Sequence, residues 1–376
     1  MLSETVLALV PAAAVGDAQA LQALSAYAQH DEATELARRE LSSELHKHLA
    51  SSPAPCAEAW MLLATWQESA GETQSALRSW YRSSQPGAKR DATRMRALGL
   101  DTEAAWSTRA AQVRKLRAEY LRDAFADIRR AYGPRELFRI DRALAGYLGE
   151  ASVFSSHPTQ RPKVIFIPGL RTGGFLNAGS HPLVPALMAG FSALQREFRV
   201  AVSEGSGIEP FMGHDLPAAS MRDYVTGAAG ASWDALFVYR HGRRYDANHQ
   251  RFPETSALLD SVDLCRIDGQ APEVCFSILQ PHSRIEPHHG VTNARVVIHI
   301  PLEVPPGCFL DVTGVGRHFW QESVPMVFDD TFEHSAENPT DRHRGILLMD
   351  AWHPELTPPE REAFKALIEA ITRLEA

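Results

Sequence analysis

Apolar and polar positions alternate with two different periods along this chain, and the change comes near residue 150. Before it, apolar residues recur at three- and four-residue spacing in a background of Ala, Leu, Arg, Glu and Gln, which predicts helices throughout. Arg109 to Tyr147 continues that pattern with Arg and Glu at spacings that permit i,i+4 pairing, so its dense charge reads as a solvated helix face. Gly149 to Pro162, with Ser152, Ser155, Ser156 and two prolines, predicts a linker. After it come short β-like runs: Val164–Ile167, Trp233–Tyr239, Val274–Leu279, Arg295–Leu302, Val324–Phe328 and Gly345–Met349. The run RVVIHIPL (295–302) is apolar at nearly every position, as a strand buried on both faces requires. Helices are expected at Leu183–Phe198 and at Pro359–Leu374, the second with Thr357 as its N-cap. A Gly/Ala-rich loop spans Glu204 to Ala231, and His241 to Gln250 has the composition of a hairpin tip.

These elements predict an α + β chain of two domains: residues 1–150, helical, and residues 151–376, a double-stranded β-helix of the jelly-roll or cupin type. Within the first, Ala59 to Gly87 places Trp60, Leu63, Ala64, Ala76, Trp80 and Pro86 near the positions used by a tetratricopeptide helix pair, with Gly71 at the turn. The unit does not repeat one period later, so a small helical bundle with one tetratricopeptide-like pair is expected. Its tryptophan stripe at helical spacing reads as core; a docking surface for a protein partner is the competing reading.

Composition narrows the function classes. Apolar residues at 44% and charged residues at 22% are those of a globular protein. A formal net charge of −8 argues against nucleic acid as the main partner, because that requires a basic surface. No apolar run approaches the ~18 residues of a membrane span. Residues 1–20 are apolar but lack a basic leader and carry Glu4 and Asp17, unlike a secretion signal. Four cysteines, Cys56, Cys265, Cys275 and Cys308, have no CxxC spacing, which predicts reduced thiols and cytoplasmic residence; a disulfide among the last three is the alternative.

The candidate chemistry lies between residues 277 and 353, around His288 in PHHGVTN and His334 in FDDTFEH. Neutral imidazole is a good ligand for divalent iron, copper, nickel or zinc. His299 sits within the buried strand, and Arg344 opens another strand ten positions after His334. A metal-type histidine followed by a strand led by arginine is the order expected when a carboxylate is held beside a metal, since the guanidinium fork matches a carboxylate in bidentate fashion. Of Asp329 and Asp330, one is expected to orient His334 and the other to pair with backbone in the turn. His282, His289, His318 and His343 fall in polar turns and read as exposed and uninvolved, and His353 as structural.

FSILQPHSRIEPHHGVTNARVVIHIPL, GCFLDV and FDDTFEHSAENPTDRHRGILLMDAWHPEL, in that order, resemble the aspartyl/asparaginyl β-hydroxylase family of Fe(II)- and 2-oxoglutarate-dependent oxygenases, over roughly Ile165 to Leu356. The resemblance implies that His288 and His334 bind iron, that Ser277 and Arg344 hold the distal carboxylate of 2-oxoglutarate, and that His299 contacts its other end. It places Arg295, retained although the family arginine two residues before His299 is Val297 here, with the cofactor-binding residues, and Arg344 with the catalytic ones. It also implies dioxygen as the oxidant and hydroxylation of an unactivated C–H bond with release of succinate and carbon dioxide. Most oxygenases of the wider group carry a carboxylate ligand two residues after the first histidine; here that residue is Gly290, in agreement with the family. Two family basic positions are replaced, by Val297 and Cys275, which removes the anchors for an acidic substrate. The substrate implied is a protein, peptide or amino-acid-derived molecule. A lipid acyl chain, a non-catalytic scaffold with a degenerate metal site, and a cupin-like enzyme working without 2-oxoglutarate are the other readings.

Overall fold

The computed structural model describes residues 4–29, 35–52, 56–84, 90–212 and 224–375. It divides into two compact units, Met1–Ala124 with Ala370–Ala376, and Phe125–Glu369.

In the first unit the tetratricopeptide-like pair is Ala57–Ser69 and Thr73–Ser83, joined at Gly71, whose φ of +73° suits a residue without Cβ. Trp60, Leu63, Ala64, Ala76 and Trp80 are all buried, so the tryptophan stripe is core. Trp80 Nε1 donates to Glu68 (2.9 Å) and Ser79 Oγ to Gln67 (2.7 Å), which satisfies the polar atoms that this packing covers. Pro86 lies outside the described residues.

Thirteen strands are described in the second unit. The larger sheet holds β1 (Phe175–Leu176), β2 (Glu209–Pro210), β4 (Trp233–Arg240), β5 (Arg243–Arg244), β6 (Val274–Leu279), β8 (Arg295–Glu303), β11 (Met326–Phe328) and β13 (Arg344–Trp352), in the order β1-β11-β8-β13-β6-β4-β2 with β5 paired to β4. The smaller holds β3 (Val225–Gly227), β7 (Ser283–His288), β9 (Phe309–Val312), β10 (Gly316–Phe319) and β12 (His334–Asn338), in the order β10-β9-β12-β7-β3. From β6 onward the chain passes repeatedly from one sheet to the other, β9 and β10 alone being successive strands of the same sheet, and this is the winding of a double-stranded β-helix. Leu279, Ile285, Leu310, Val312, Phe328 and Phe332 form the core between the sheets. The outer face of the larger sheet is covered by the helices Val184–Ala189 and Phe191–Glu204, through Leu187, Leu194 and Phe198 against Phe276, Ile298 and Leu347. That double burial explains the unbroken apolar character of 295–302.

The helices Ala126–Tyr132 and Phe138–Tyr147 group with the sheets, whereas the sequence reading drew its boundary at residue 150. The cause is long-range: Arg139 binds Glu360 (2.5 Å) and the Glu355 carbonyl (2.7 Å), contacts that no local pattern announces. Several local expectations are corrected. Val164–Ile167 forms no strand, only a bridge from Ile165 to Thr292. The run Val324–Phe328 is strand only from Met326, Pro325 having no N–H to give a ladder. The expected hairpin tip narrows to His241–Gly242, and Asp246–Arg251 is helical. The helix expected over Leu183–Phe198 is two, parted at Gly190, where a Cβ would lie 2.6 Å from Leu258. All four cysteines are buried and unpaired. The last helix, Pro358–Glu375, begins just after Thr357, whose hydroxyl donates to Glu360 (3.1 Å) and does not itself cap the helix; Glu360 also accepts the Thr357 N–H (3.0 Å). Among the described residues no helix is long and apolar enough to cross a membrane.

Candidate functional site

Between the two sheets lies a cavity of about 480 Å³ whose wall includes His288, His334, Ser277, His299, Arg295 and Arg344. Six residues chosen from separate stretches of sequence thus converge on one space. The two histidines are cross-strand partners on β7 and β12, with ring centroids 4.1 Å apart. Each ring nitrogen Nδ1 lies 2.8 Å from a backbone carbonyl two residues earlier, Glu286 for His288 and Phe332 for His334. A carbonyl only accepts, so Nδ1 carries the proton and Nε2 keeps its lone pair on both rings. Burial lowers both pKa values, that of His334 to about 3 with the His288 charge adding to it, so both rings are neutral donors at neutral pH.

This corrects one expectation: neither aspartate orients His334. Asp329 accepts from Gln160 Nε2 (2.7 Å) and from the N–H (2.9 Å) and hydroxyl (2.5 Å) of Thr331, which fastens the turn. Asp330 instead fills the space beside Gly290, where a Cβ would fall 2.2 Å from its Cγ. Glycine at this position is therefore a steric requirement, and the carboxylate packed against it comes from Asp330, four residues before His334.

At the opposite end, Arg344 is fully buried on β13, and among the described residues no carboxylate pairs with it. Its Nη1 donates to the Ser277 hydroxyl (3.3 Å) and carbonyl (3.4 Å), its plane stands over the Trp320 ring at 4.8 Å, and Nε has no partner. Burial lowers its pKa to about 10. Ser277 also accepts from Trp233 Nε1 (2.9 Å), so its own hydroxyl hydrogen is available to a ligand. His299 is buried, its Nδ1 has no partner, and burial followed by the nearby Arg344 charge holds it well below the usual imidazole range. Arg295 stands apart from these, already ion-paired with Asp350.

Of the residues read as uninvolved, His282 is exposed and pairs with Asp341 (2.8 Å), while His318 lies half-buried on β10, not in a turn. His353 is buried and accepts the Glu355 N–H. Sequence reasoning missed Trp233 and Trp320, which brace Ser277 and Arg344. An isolated tryptophan beside a strand carries no mark of this in sequence.

A family model described as aspartyl/asparaginyl beta-hydroxylase matches residues 191–354. The chain is 30% identical over 239 residues to aspartate beta-hydroxylase domain-containing protein 1 of Mus musculus, covering 62% of this chain and 63% of that protein. It is 28% identical over 225 residues to aspartate beta-hydroxylase domain-containing protein 2 of Homo sapiens, covering 58% of each. A stretch of 139 residues is 34% identical to aspartyl/asparaginyl beta-hydroxylase of Mus musculus, covering 36% of this chain and 18% of that protein. The chain thus spans about three fifths of the length of the first two relatives. Residues 191–354, which carry both histidines, Ser277, His299 and Arg344, are thus similar to the aspartyl/asparaginyl beta-hydroxylase family.

Proposed function

We propose that this chain is an Fe(II)- and 2-oxoglutarate-dependent hydroxylase, acting on an unactivated C–H bond of a protein, peptide or amino-acid-derived substrate in a cytoplasmic setting. Arg344 carries the reading. A guanidinium taken fully out of water without a counter-charge is costly, and such groups are kept where a ligand supplies the missing anion. The cavity in front of it also holds two neutral, fixed imidazoles.

The donor set fits divalent iron. His288 and His334 would hold it through Nε2, each ring aimed by its Nδ1–H bond to a carbonyl. Arg344 and Ser277 would take the distal carboxylate of 2-oxoglutarate, a fork and a hydroxyl against two oxygens. His299, neutral and unpartnered, would steady the end of the cosubstrate nearer the metal. Iron with 2-oxoglutarate supplies the oxidising power: one atom of dioxygen goes to succinate, released with carbon dioxide, and the other turns the substrate C–H into C–OH. The protein's share is to bind, orient and exclude water, and the apolar lining from Ile346, Leu348 and Phe328 serves the last of these.

The test is calorimetric titration of the Mn(II)-loaded protein with 2-oxoglutarate. Arg344→Met should weaken binding by about 30-fold or more, the ~2 kcal/mol expected for truncating one member of a buried charge pair. His334→Ala should remove metal binding and succinate formation while leaving the fold. Unchanged 2-oxoglutarate affinity in Arg344→Met would overturn the assignment.

A further inference from the structure

Resting on the function proposed above, the cavity also indicates what class of molecule it accepts. Its floor is one face of β13 with the facing residues of β8 and β6. Register sets His299 beside Leu348 and Val297 beside Asp350; just before β6 the Glu273 carbonyl accepts the Asp350 N–H (3.1 Å) and the Asp350 carboxylate accepts the Glu273 N–H (2.9 Å). Arg344 and Asp350 are six positions apart, about 20 Å at ~3.3 Å per residue. A five-carbon diacid fixed at Arg344 reaches roughly 6 Å, from four carbon–carbon bonds of ~1.5 Å. Beyond His299 and its partner Leu348, which border the cosubstrate, the outer part of the floor, Val297, Asp350 and Glu273, therefore remains for substrate.

That outer part is apolar and then charged, with Glu273, Asp330 and Asp350 among Arg240, Arg295 and Lys163 on the cavity wall. Its guanidinium groups are already matched: Arg295 pairs with Asp350, and Arg240 faces Glu209 at 3.8 Å and donates to the Phe211 carbonyl (3.0 Å). Two cavity carboxylates form no ion pair with a guanidinium among the described residues, although the Arg295 charge reaches both and that of Arg240 reaches Glu273. Glu273 accepts the backbone N–H of His241 (2.9 Å), with that residue's largely exposed imidazole 3.6 Å away. Asp330 accepts no hydrogen bond from any other described residue through its carboxylate. Burial, with the neighbouring carboxylate charges adding to it, pushes both pKa values up to about 7. An incoming cation would be stabilised here and an incoming carboxylate repelled.

We propose that the substrate is an aliphatic chain ending in a primary ammonium, its carbons lying over Val297 and Leu348 beside the two imidazoles and its ammonium meeting Glu273. The chain would come from a free amine or from a lysine-type side chain of a peptide. The experiment uses full-length protein loaded with Mn(II) and 2-oxoglutarate, titrated with two sets of probes. One set is n-hexylamine, n-hexanol and hexanoate; the other is a capped Gly-Lys-Gly peptide with its norleucine and glutamate counterparts. In at least one set the ammonium member should bind tenfold or more tightly than its uncharged partner, and the set that responds identifies the source. Glu273→Gln should erase that preference and Glu273→Asp should keep it. Equal or better binding of the uncharged or acidic probe, persistence of the preference in Glu273→Gln, or no saturable binding of either ammonium probe would each overturn the inference. Failure of the wild-type protein to take up 2-oxoglutarate is a different result: it removes the hydroxylase reading itself, and this inference with it.

Discussion

Gly290 and Asp330 show how a single absent side chain shapes the site. The Asp330 carboxylate occupies the place that a Cβ at 290 would need, and the Gly290 N–H donates to the Asp330 carbonyl at 2.6 Å, so the two backbones are clamped together. Gly290→Ala must push this carboxylate aside, at a cost of about 1–3 kcal/mol for overfilling a packed site. Thermal melts should show that loss, and truncating the neighbour in Gly290→Ala/Asp330→Ala should recover much of it. Strict additivity of the two substitutions would mean that the groups do not share space. The same pair marks a limit of sequence reading. The spacing of HHG and FDDTFEH pointed to both histidines, but which atoms hold their rings depends on the local path of two turns. There the carbonyls of Glu286 and Phe332 do the work expected of an aspartate.

Among the elements, β13 carries the heaviest demands. It is the central partner of both β6 and β8, and it delivers Arg344, Ile346, Leu348 and Asp350 to one face while Leu347 and Met349 pack under the helices. Its register with β8 shifts between Gly345 and Ile346, beside the buried arginine. A Cβ at 345 would sit 2.0 Å from Phe198 Cζ. Gly345→Ala should therefore destabilise the second unit by roughly 1–3 kcal/mol and also weaken 2-oxoglutarate binding, because the strain falls next to Arg344. Phe198→Leu in the same chain should restore part of both losses, read by denaturant titration and calorimetry. A loss of stability with cosubstrate affinity untouched would show that the arginine is held independently of the glycine. Elements of this kind were legible in sequence because burial on both faces writes an unbroken apolar run. The short strands β1, β2, β3 and β5 were not, since two or three residues carry no period, and helices 126–132 and 138–147 gave no sign of grouping with the sheets because Arg139 finds Glu360 221 positions away.

For the molecule as a whole, groups buried in the second unit, most of them around the cavity, set two opposing pH dependences. His334, lowered from 6.5 to about 3, and His353, lowered to about 4, are both depressed first by burial, and His288 and His299 shift in the same direction. A depressed imidazole contributes stability that is present above its unfolded pKa of 6.5 and lost as pH falls toward the folded value, since the unfolded chain then binds more protons. Glu273 and Asp330, raised by burial from 4.5 and 3.8 to about 7, act in the other direction. Their contribution is complete below the unfolded values and lost as pH rises through about 7. Between about pH 4.5 and 6.5 the slopes oppose each other. Below about 4 the carboxylates are protonated in both states and the imidazoles act alone. Four imidazoles outweigh two carboxylates, so metal-free protein should lose stability gradually on acidification across the first interval and more steeply in the second. His334→Asn should soften the acid limb, and Glu273→Gln should remove part of the decline toward pH 7, both read from urea midpoints across a pH series. Bound divalent metal, which takes only neutral imidazole, should move the acid limb to lower pH as its concentration rises. An acid limb identical in wild type, His334→Asn and metal-loaded protein would place the controlling protons away from the two histidines.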